Sequence, residues 1–345
     1  MARRALITGI TGQDGSYLAE YLISEGYEVW GLIRGQANPH RNRLRRLVPE
    51  LSFVSGDVLD QSSLVAAINL VQPDEIYNLA AISFVPMSWK QAELVTQVNG
   101  VGVLRMLEAI RMVSGLDSSS AVHAEGGQIR YYQASSSEMF GKVAETPQSE
   151  TTRFHPRSPY GVAKAYGHLI TRNYRESFGM YGVSGILFNH ESPRRGAEFV
   201  TRKISLAAAQ IKLGQQQQLR LGNLDAQRDW GFAGDYVRAM HLMLQPDKAS
   251  DYVVGTGEMH SVRDAVRIAF ECVDLNWEDY VYIDPELVRP AEVESLCADA
   301  SLARDELGWK PTVDFPELMQ MMVESDLLKG SYERDSGDIM IASDW

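Results

Sequence analysis

Gly9-Ile10-Thr11-Gly12-Gln13-Asp14-Gly15 lies between an apolar run, Ala5–Thr8, and a helical pattern, Ser16–Glu25, and its reading decides the fold. Glycine is needed where backbone must come close to a pyrophosphate or where a helix must pack tightly on a strand. The first turn of the following helix offers free N–H groups and the positive end of a dipole, which suits an anion. Three glycines alone would mark no more than a tight turn. Between a first strand and a helix they predict a dinucleotide-binding turn, with Gly9, Thr11, Gly12, Gln13, Asp14 and Gly15 against the ligand. The spacing is G-x-x-G-x-x-G, one residue wider between the first two glycines than the commonest dehydrogenase pattern.

Outward from this turn, short apolar runs alternate with longer helical patterns, as in a parallel sheet with crossover helices. Further strands are expected at Glu28–Ile33, Leu51–Val54, Glu75–Ala80, Ile129–Ala134 and Val183–Phe188, with helices at Glu93–Met112 and Ser158–Phe178. The expected fold class is α/β, a doubly wound parallel Rossmann sheet over residues 1–190. A smaller C-terminal α/β substrate lobe is expected over 191–330, with elements that can rejoin the first domain. Its helices are expected near Thr201–Leu213, Ala233–Leu244, Val262–Val273 and Pro316–Leu328. Ser114–Gln128 is polar and Gly/Ser-rich and reads as a surface loop. The acidic segment from Gly330, with residues 331–345, reads as a frayed tail.

The 345 residues are 45% hydrophobic and 23% charged, enough to bury a core in two lobes. Net charge is −12 and the pI about 5.1. So acidic a chain is not a general phosphate-backbone binder, so no nucleic-acid partner is expected. An anionic ligand must then be met by a local basic pocket. Cys272 and Cys297 have neither metal nor redox spacing and read as reduced packing residues, and no metal site is expected. The N-terminal MARRALITG runs into the first strand without a signal peptide's apolar stretch, and no window approaches the roughly 18 apolar residues of a membrane span. The expectation is a cytoplasmic protein with no membrane partner.

The end of the second strand selects the cofactor. An acidic residue there would favour NAD, whereas Arg34 can pair with the 2′-phosphate of NADP; the alternative is a surface arginine on a loop. Asp57, after the third strand, is placed to reach an adenine edge or simply to hold a turn.

Tyr160 and Lys164 stand four apart on an expected helix, so both side chains share one face. An ammonium beside a phenol favours phenolate, and a cationic nicotinamide would add to that shift. Such a tyrosine can take a proton from a sugar hydroxyl near neutral pH. The second cluster, Ala134-Ser-Ser-Ser-Glu138-Met-Phe-Gly141, falls at the carboxyl end of the fifth strand, where this fold binds ligands. Hydride transfer alone needs only a hydroxyl there. Dehydration needs a group that removes a carbon-bound proton and then protonates a leaving hydroxyl, and the Glu138 carboxyl can do both.

Six strings together resemble the GDP-mannose 4,6-dehydratase family, of the extended short-chain dehydrogenase type, from Ala5 to about Val323. They are Ile7-Thr-Gly-Ile-Thr-Gly-Gln-Asp-Gly-Ser16, Tyr132-Gln-Ala-Ser-Ser-Ser-Glu138, Pro156-Arg-Ser-Pro-Tyr-Gly-Val-Ala-Lys164, Leu187-Phe-Asn-His-Glu-Ser-Pro-Arg-Arg-Gly196, Val200-Thr-Arg-Lys-Ile204 and Leu221-Gly-Asn-Leu-Asp-Ala-Gln-Arg-Asp-Trp-Gly231. The resemblance implies a catalytic set of Ser136, Glu138, Tyr160 and Lys164. It implies that His190, Arg195, Val58, Leu79, Ala80, Ala81 and Ser83 meet an NADP cofactor. The GDP-sugar site would be lined by Ser83, Ser136, Glu138, Asn189, Val200, Lys203, Leu221, Gly222, Arg228, Arg289 and Glu292. Lys203, Arg228 and Arg289 also answer the need for local cations around a diphosphate.

The chain departs from the family pattern at three places. Ser136 stands for a threonine and keeps the hydroxyl; Ala80-Ala-Ile-Ser-Phe84 replaces Ala-Ala-Gln-Ser-His; Arg34-Gly-Gln replaces Arg-Arg-Ser after the second strand. The implied activity is conversion of GDP-mannose to GDP-4-keto-6-deoxymannose and water by internal hydride transfer, in a homodimer or homotetramer. A sugar-nucleotide epimerase or 4-reductase would share the fold but does not need Glu138. A non-catalytic NADP-binding sensor would not need the Tyr160–Lys164 pair.

Overall fold

The computed structural model describes residues 2–35, 40–116, 129–287 and 296–336. Strands β1 (Arg4–Thr8), β2 (Glu28–Ile33), β3 (Ser52–Ser55), β4 (Glu75–Asn78), β5 (Arg130–Ser136) and β6 (Gly182–Leu187) alternate with helices α1 (Gln13–Ser24), α2 (His40–Leu47), α3 (Gln61–Val71), α4 (Val85–Lys90), α5 (Ala92–Thr96), α6 (Gly102–Ser114) and α7 (Pro159–Phe178). Beyond them come β7 (Asn189–Glu191), α8 (Val200–Lys212), β8 (Leu219–Leu221), β9 (Gln227–Arg228), β10 (Trp230–Phe232) and α9 (Ala233–Met243). The described chain then runs through β11 (Asp251–Val254), β12 (His260–Ser261), α10 (Val262–Glu271), β13 (Val281–Ile283), α11 (Ser301–Leu307) and α12 (Phe315–Ser336).

The main sheet has the order β11-β6-β5-β4-β1-β2-β3, and every pairing in it is parallel. Both faces are therefore covered by helices, and the strands are buried runs. Ile7, Leu18, Tyr132, Tyr236 and Trp309 pack on one face, and Leu6, Ile68, Leu107 and Tyr131 on the other. Strand order reverses between β1 and β4, which opens a crevice at their carboxyl ends. A separate core, including Ile204, Val266, Phe270 and Met319, joins α8, α10 and α12 and forms the wall opposite that crevice. β11 extends the sheet through β6, and α9 packs beside α1.

The helix expected over Glu93–Met112 is present and continuous: α5 runs through a π-turn at Gln97–Val101 into α6. Periodicity does not register one inserted residue of this kind. Two expectations change. The segment from Gly330 is not frayed throughout, since α12 runs on to Ser336. Gly330 lies so near α8 that a Cβ would sit 2.6 Å from Leu213 Cδ1, and Asp326 pairs with buried Arg202 of α8. These contacts tie α12 to α8 as far as Gly330, and residues 337–345 lie outside the described residues. Finally, Cys272 is exposed rather than packed, and Cys297 is half-buried. Most of the Ser114–Gln128 loop lies outside the described residues.

No helix among the described residues is long and apolar enough to cross a membrane. Likewise, no cluster of side chains among them could hold a metal ion.

Candidate active site

The crevice is a cleft of about 870 Å³ between the two lobes, within the usual range for ligand sites. At one end lies the glycine turn. Gly9 has φ +69°, and a Cβ there would come within 2.7 Å of the Ala80 backbone nitrogen. Only glycine lets the β1 and β4 ends approach so closely. The same ends are tied by a buried polar chain. Thr8 Oγ1 donates to Asn78 Oδ1 at 2.7 Å, and Asn78 Nδ2 donates to Gln133 Oε1 at 2.9 Å. Thr8 Oγ1 also accepts from the N–H groups of Leu79 and Ala80, both at 3.1 Å. Gly12 caps α1 without a side chain, which leaves the helix end open to an anion.

The catalytic cluster is assembled from β5 and α7. Ser158 caps α7 by accepting from Gly161 N–H at 3.0 Å, with Pro159 in the first turn. A Cβ at Gly161 would lie 2.7 Å from the Glu138 carbonyl oxygen, so that glycine lets α7 press Tyr160 against the turn after β5. Ser136 Oγ accepts from Glu138 N–H at 3.3 Å and, as a neighbour of the Tyr160 hydroxyl, favours its ionised form. Lys164 Nζ donates to the Ala134 carbonyl oxygen at 2.8 Å and lies 5.8 Å from the centre of the Tyr160 ring.

Burial pushes the Tyr160 phenol up to about 12. Burial is the main cause and Glu138 and Asp14 add to it, against a lowering by Ser136 and Arg195. Lys164 is lowered to about 8, again by burial, with Asp14 opposing. The Lys164 head is turned to the Ala134 carbonyl.

The second lobe meets the turn through β7. His190 Nε2 lies 2.8 Å from Asp14 Oδ2. Arg195 Nε lies 3.1 Å from Glu191 Oε2, which also accepts from Thr201 Oγ1 at 2.6 Å. The Arg195 guanidinium covers the Phe199 ring at 3.5 Å, and Phe199 meets Phe84 of the other wall edge-on at 5.8 Å between centroids. Farther along, Lys203 Nζ donates to the Arg220 carbonyl oxygen at 2.7 Å, beside Leu221, Gly222 and Arg228.

The cleft brings together most residues singled out from the sequence. Gly9, Thr11, Gly12, Gln13, Asp14, Gly15, Leu79, Ala81 and Ser83 line it, as do Ser136, Glu138, Tyr160, Lys164, Asn189, His190, Arg195, Val200, Lys203, Leu221, Gly222 and Arg228. Four others are not among its lining residues. Arg34 is exposed at the end of β2. Asp57 Oδ1 accepts from Leu59 N–H at 3.0 Å, which is the turn-holding alternative. Val58 is buried, and Ala80 lies behind Gly9. Arg289 and Glu292 lie outside the described residues. Sequence reasoning missed Phe84, Glu191 and Phe199 as lining residues. Glu191 stood inside a quoted string, next to His190, and its buried carboxylate could have been suspected. The aromatic pair left no sequence signal, because its members are far apart in the chain.

An open helix end over a glycine turn at a topological switch point fits a dinucleotide. A Ser–Tyr–Lys set beside it with a second, cation-bearing lobe fits a sugar nucleotide. Together they define a nucleotide-sugar enzyme of the extended short-chain dehydrogenase class. Solved structures agree. The UDP-glucose 4-epimerase of Thermus thermophilus, determined with NAD, is 26% identical with a TM-score of 0.79, covering 94% of this chain and 98% of its own. The dTDP-glucose 4,6-dehydratase of Streptomyces venezuelae is 25% identical with a TM-score of 0.79, covering 97% and 98%. Residues 6–322 match the family described as GDP-mannose 4,6 dehydratase. GDP-mannose 4,6 dehydratase 1 of Arabidopsis thaliana is 51% identical over 97% of this chain and 92% of its own length. The human GDP-mannose 4,6 dehydratase is 47% identical, over 94% and 91%. The chain belongs to the GDP-mannose 4,6-dehydratase family, and its reaction is the dehydration of GDP-mannose.

Proposed function

We propose that the chain converts GDP-mannose to GDP-4-keto-6-deoxymannose and water with bound NADP, which returns unchanged. The observation that carries this reading is the placement of Glu138 in one cleft with Ser136, Tyr160 and Lys164. An epimerase or reductase has no task for that carboxyl. When bound, NADP supplies the redox capacity, holding the hydride of C4 until it is delivered to C6. Tyr160 accepts the proton of the 4-hydroxyl. Its raised affinity for protons makes it a strong acceptor once ionised, and positive charge bound beside it favours that ionised form. The 4-ketone acidifies the C5 proton, which Glu138 removes. Glu138 then gives that proton to the departing 6-hydroxyl, which leaves as water with help from the Ser136 hydroxyl. A proton finally returns to C5, so the balance is loss of one water.

Lys203 and Arg228 face the diphosphate of the sugar nucleotide, and Arg34 favours NADP over NAD by its position after β2. The homo-oligomer reading is supported by an apolar stripe on α7. Val162, Tyr166 and Leu169 are exposed there, beside exposed Leu94 of α5. The test is incubation of the protein with GDP-mannose under either cofactor, followed by mass analysis. A product lighter by one water, formed without net cofactor turnover and best with NADP, is expected. A reaction that consumes reduced cofactor stoichiometrically would favour the reductase.

A further inference from the structure

Asp14 sits in the first turn of α1, at the end of the cleft where a diphosphate would be received. A carboxylate opposes an anion there, so its position needs a physical account. His190 gives one. Its Nε2 is 2.8 Å from Asp14 Oδ2, and its Nδ1 is 2.8 Å from the Phe188 carbonyl oxygen. A carboxylate and a carbonyl only accept, so both ring nitrogens must carry protons for both contacts to be hydrogen bonds. The ring is then an imidazolium. It is also clamped, stacked on Tyr236 at 4.6 Å between centroids. The Gln13 amide donates to the His190 carbonyl oxygen and to Asp14 Oδ1, both at 3.0 Å, and accepts from the Ser192 hydroxyl at 2.7 Å. The glycine turn and β7 are thus joined by one polar knot.

We propose that Asp14 and His190 form a charge-compensated positioning pair that docks β7 on the glycine turn and makes the end of α1 receptive to a dinucleotide diphosphate. The inference rests on the reading of that turn as the dinucleotide site.

The surrounding charges set the direction of its pH dependence. Burial works against charge on both partners. Even so, their mutual attraction and hydrogen bond hold Asp14 below the usual carboxylate range and His190 above the usual histidine range. On the chain after β7, Arg195 opposes the imidazolium and is itself paired with Glu191 of β7. Tyr236 faces the ring from α9, and Tyr132 of β5 and Tyr160 and Lys164 of α7 lie within the field of Asp14. Below the raised pKa of His190 the pair is neutral. As pH rises through it, the pair becomes an anion and diphosphate affinity falls.

The test is direct titration of the full-length protein with NADP and with NAD, which share the diphosphate. His190→Asn leaves Asp14 uncompensated and is expected to weaken both dinucleotides alike, on the order of 10- to 100-fold for one charge near a diphosphate. Adding Asp14→Asn should restore most of that loss. Asp14→Asn alone keeps the contact, because a neutral ring with its proton on Nδ1 can accept from the new amide. Its affinity should fall less at alkaline pH than that of the unaltered protein, which keeps the idea testable if His190→Asn does not fold. A double variant no better than His190→Asn would show a purely structural joint and overturn the proposal. So would an unchanged alkaline fall in Asp14→Asn, which would assign the proton to Lys164. Failure of the unaltered protein to bind either dinucleotide would instead remove the dinucleotide reading itself.

Discussion

At Glu138 and Tyr160 two acid–base groups stand in one cleft with different proposed tasks. Burial keeps the Tyr160 proton on until a ligand changes the local charge, whereas Glu138 is half-exposed at the turn after β5. Glu138→Gln preserves shape but can neither take the C5 proton nor protonate the leaving hydroxyl. Dehydration is expected to fall about 10²–10⁴-fold, the usual scale for a lost general acid–base. GDP-mannose binding should stay within a few-fold, read by calorimetry. Run in deuterated water, the unaltered enzyme should label C5 of the product, and the variant should leave C5 of recovered substrate unlabelled. Normal dehydration by Glu138→Gln would show that another group acts as the acid–base.

Single elements position these groups by means that periodicity does not reveal. The π-turn before α6 aims Asn99 inward, where its Oδ1 accepts from Ile82 N–H at 2.9 Å and its Nδ2 donates to the Ile82 carbonyl oxygen at 3.0 Å. This pins the loop whose Leu79, Ala81 and Ser83 line the cleft. Asn99→Ala strands both backbone groups and should cost about 1–3 kcal/mol. Urea unfolding would measure it, and a weaker dinucleotide Kd should accompany it. Two turns beyond Tyr160 on α7, His168 is fully buried between Ser135 Oγ on Nδ1 and Arg172 Nη2 on Nε2, both at 3.2 Å. A guanidinium only donates, so the neutral ring carries its proton on Nδ1. Burial, with Arg172 and Arg175 in support and Asp251 opposed, pushes His168 down to about 4. The unfolded chain binds that proton near pH 6.5, so this stability is present above that pH and is lost as pH falls toward 4. The loss should reach about 3 kcal/mol. Unfolding midpoints between pH 7.5 and 4.5 should shift less in His168→Gln; an equal shift would exclude the ring as the source.

For the molecule as a whole, the exposed apolar stripe on α7 lies on the same helix as Tyr160 and Lys164. Val162, Tyr166 and Leu169 recur at helical spacing and alternate with the buried catalytic face, so the proposed assembly face and the catalytic groups share one helix. Leu169→Glu should turn the expected homo-oligomer into monomer, read by light scattering at micromolar concentration, with α7 still folded by circular dichroism. An unaltered protein that is monomeric at the same concentration would remove the oligomer reading.

The strand–turn–helix around Gly9, the Tyr160–Lys164 spacing and the carboxyl at Glu138 were legible in the sequence by itself. Each depends on local geometry, on a glycine turn or a helix face, and local geometry is written in neighbouring residues. The parallel sheet followed from the alternation of apolar runs, with errors of a few residues at strand ends. Tertiary structure decided what depends on residues distant in the chain. It set β11 in the main sheet and Phe84 against Phe199. It also placed His190 on Asp14 across the cleft and turned Asp57 back into its own loop. A lysine four residues from Tyr160 is visible in the sequence, but the removal of water that pushes the phenol up is a property of the packed interior, because it depends on every element packed around the ring.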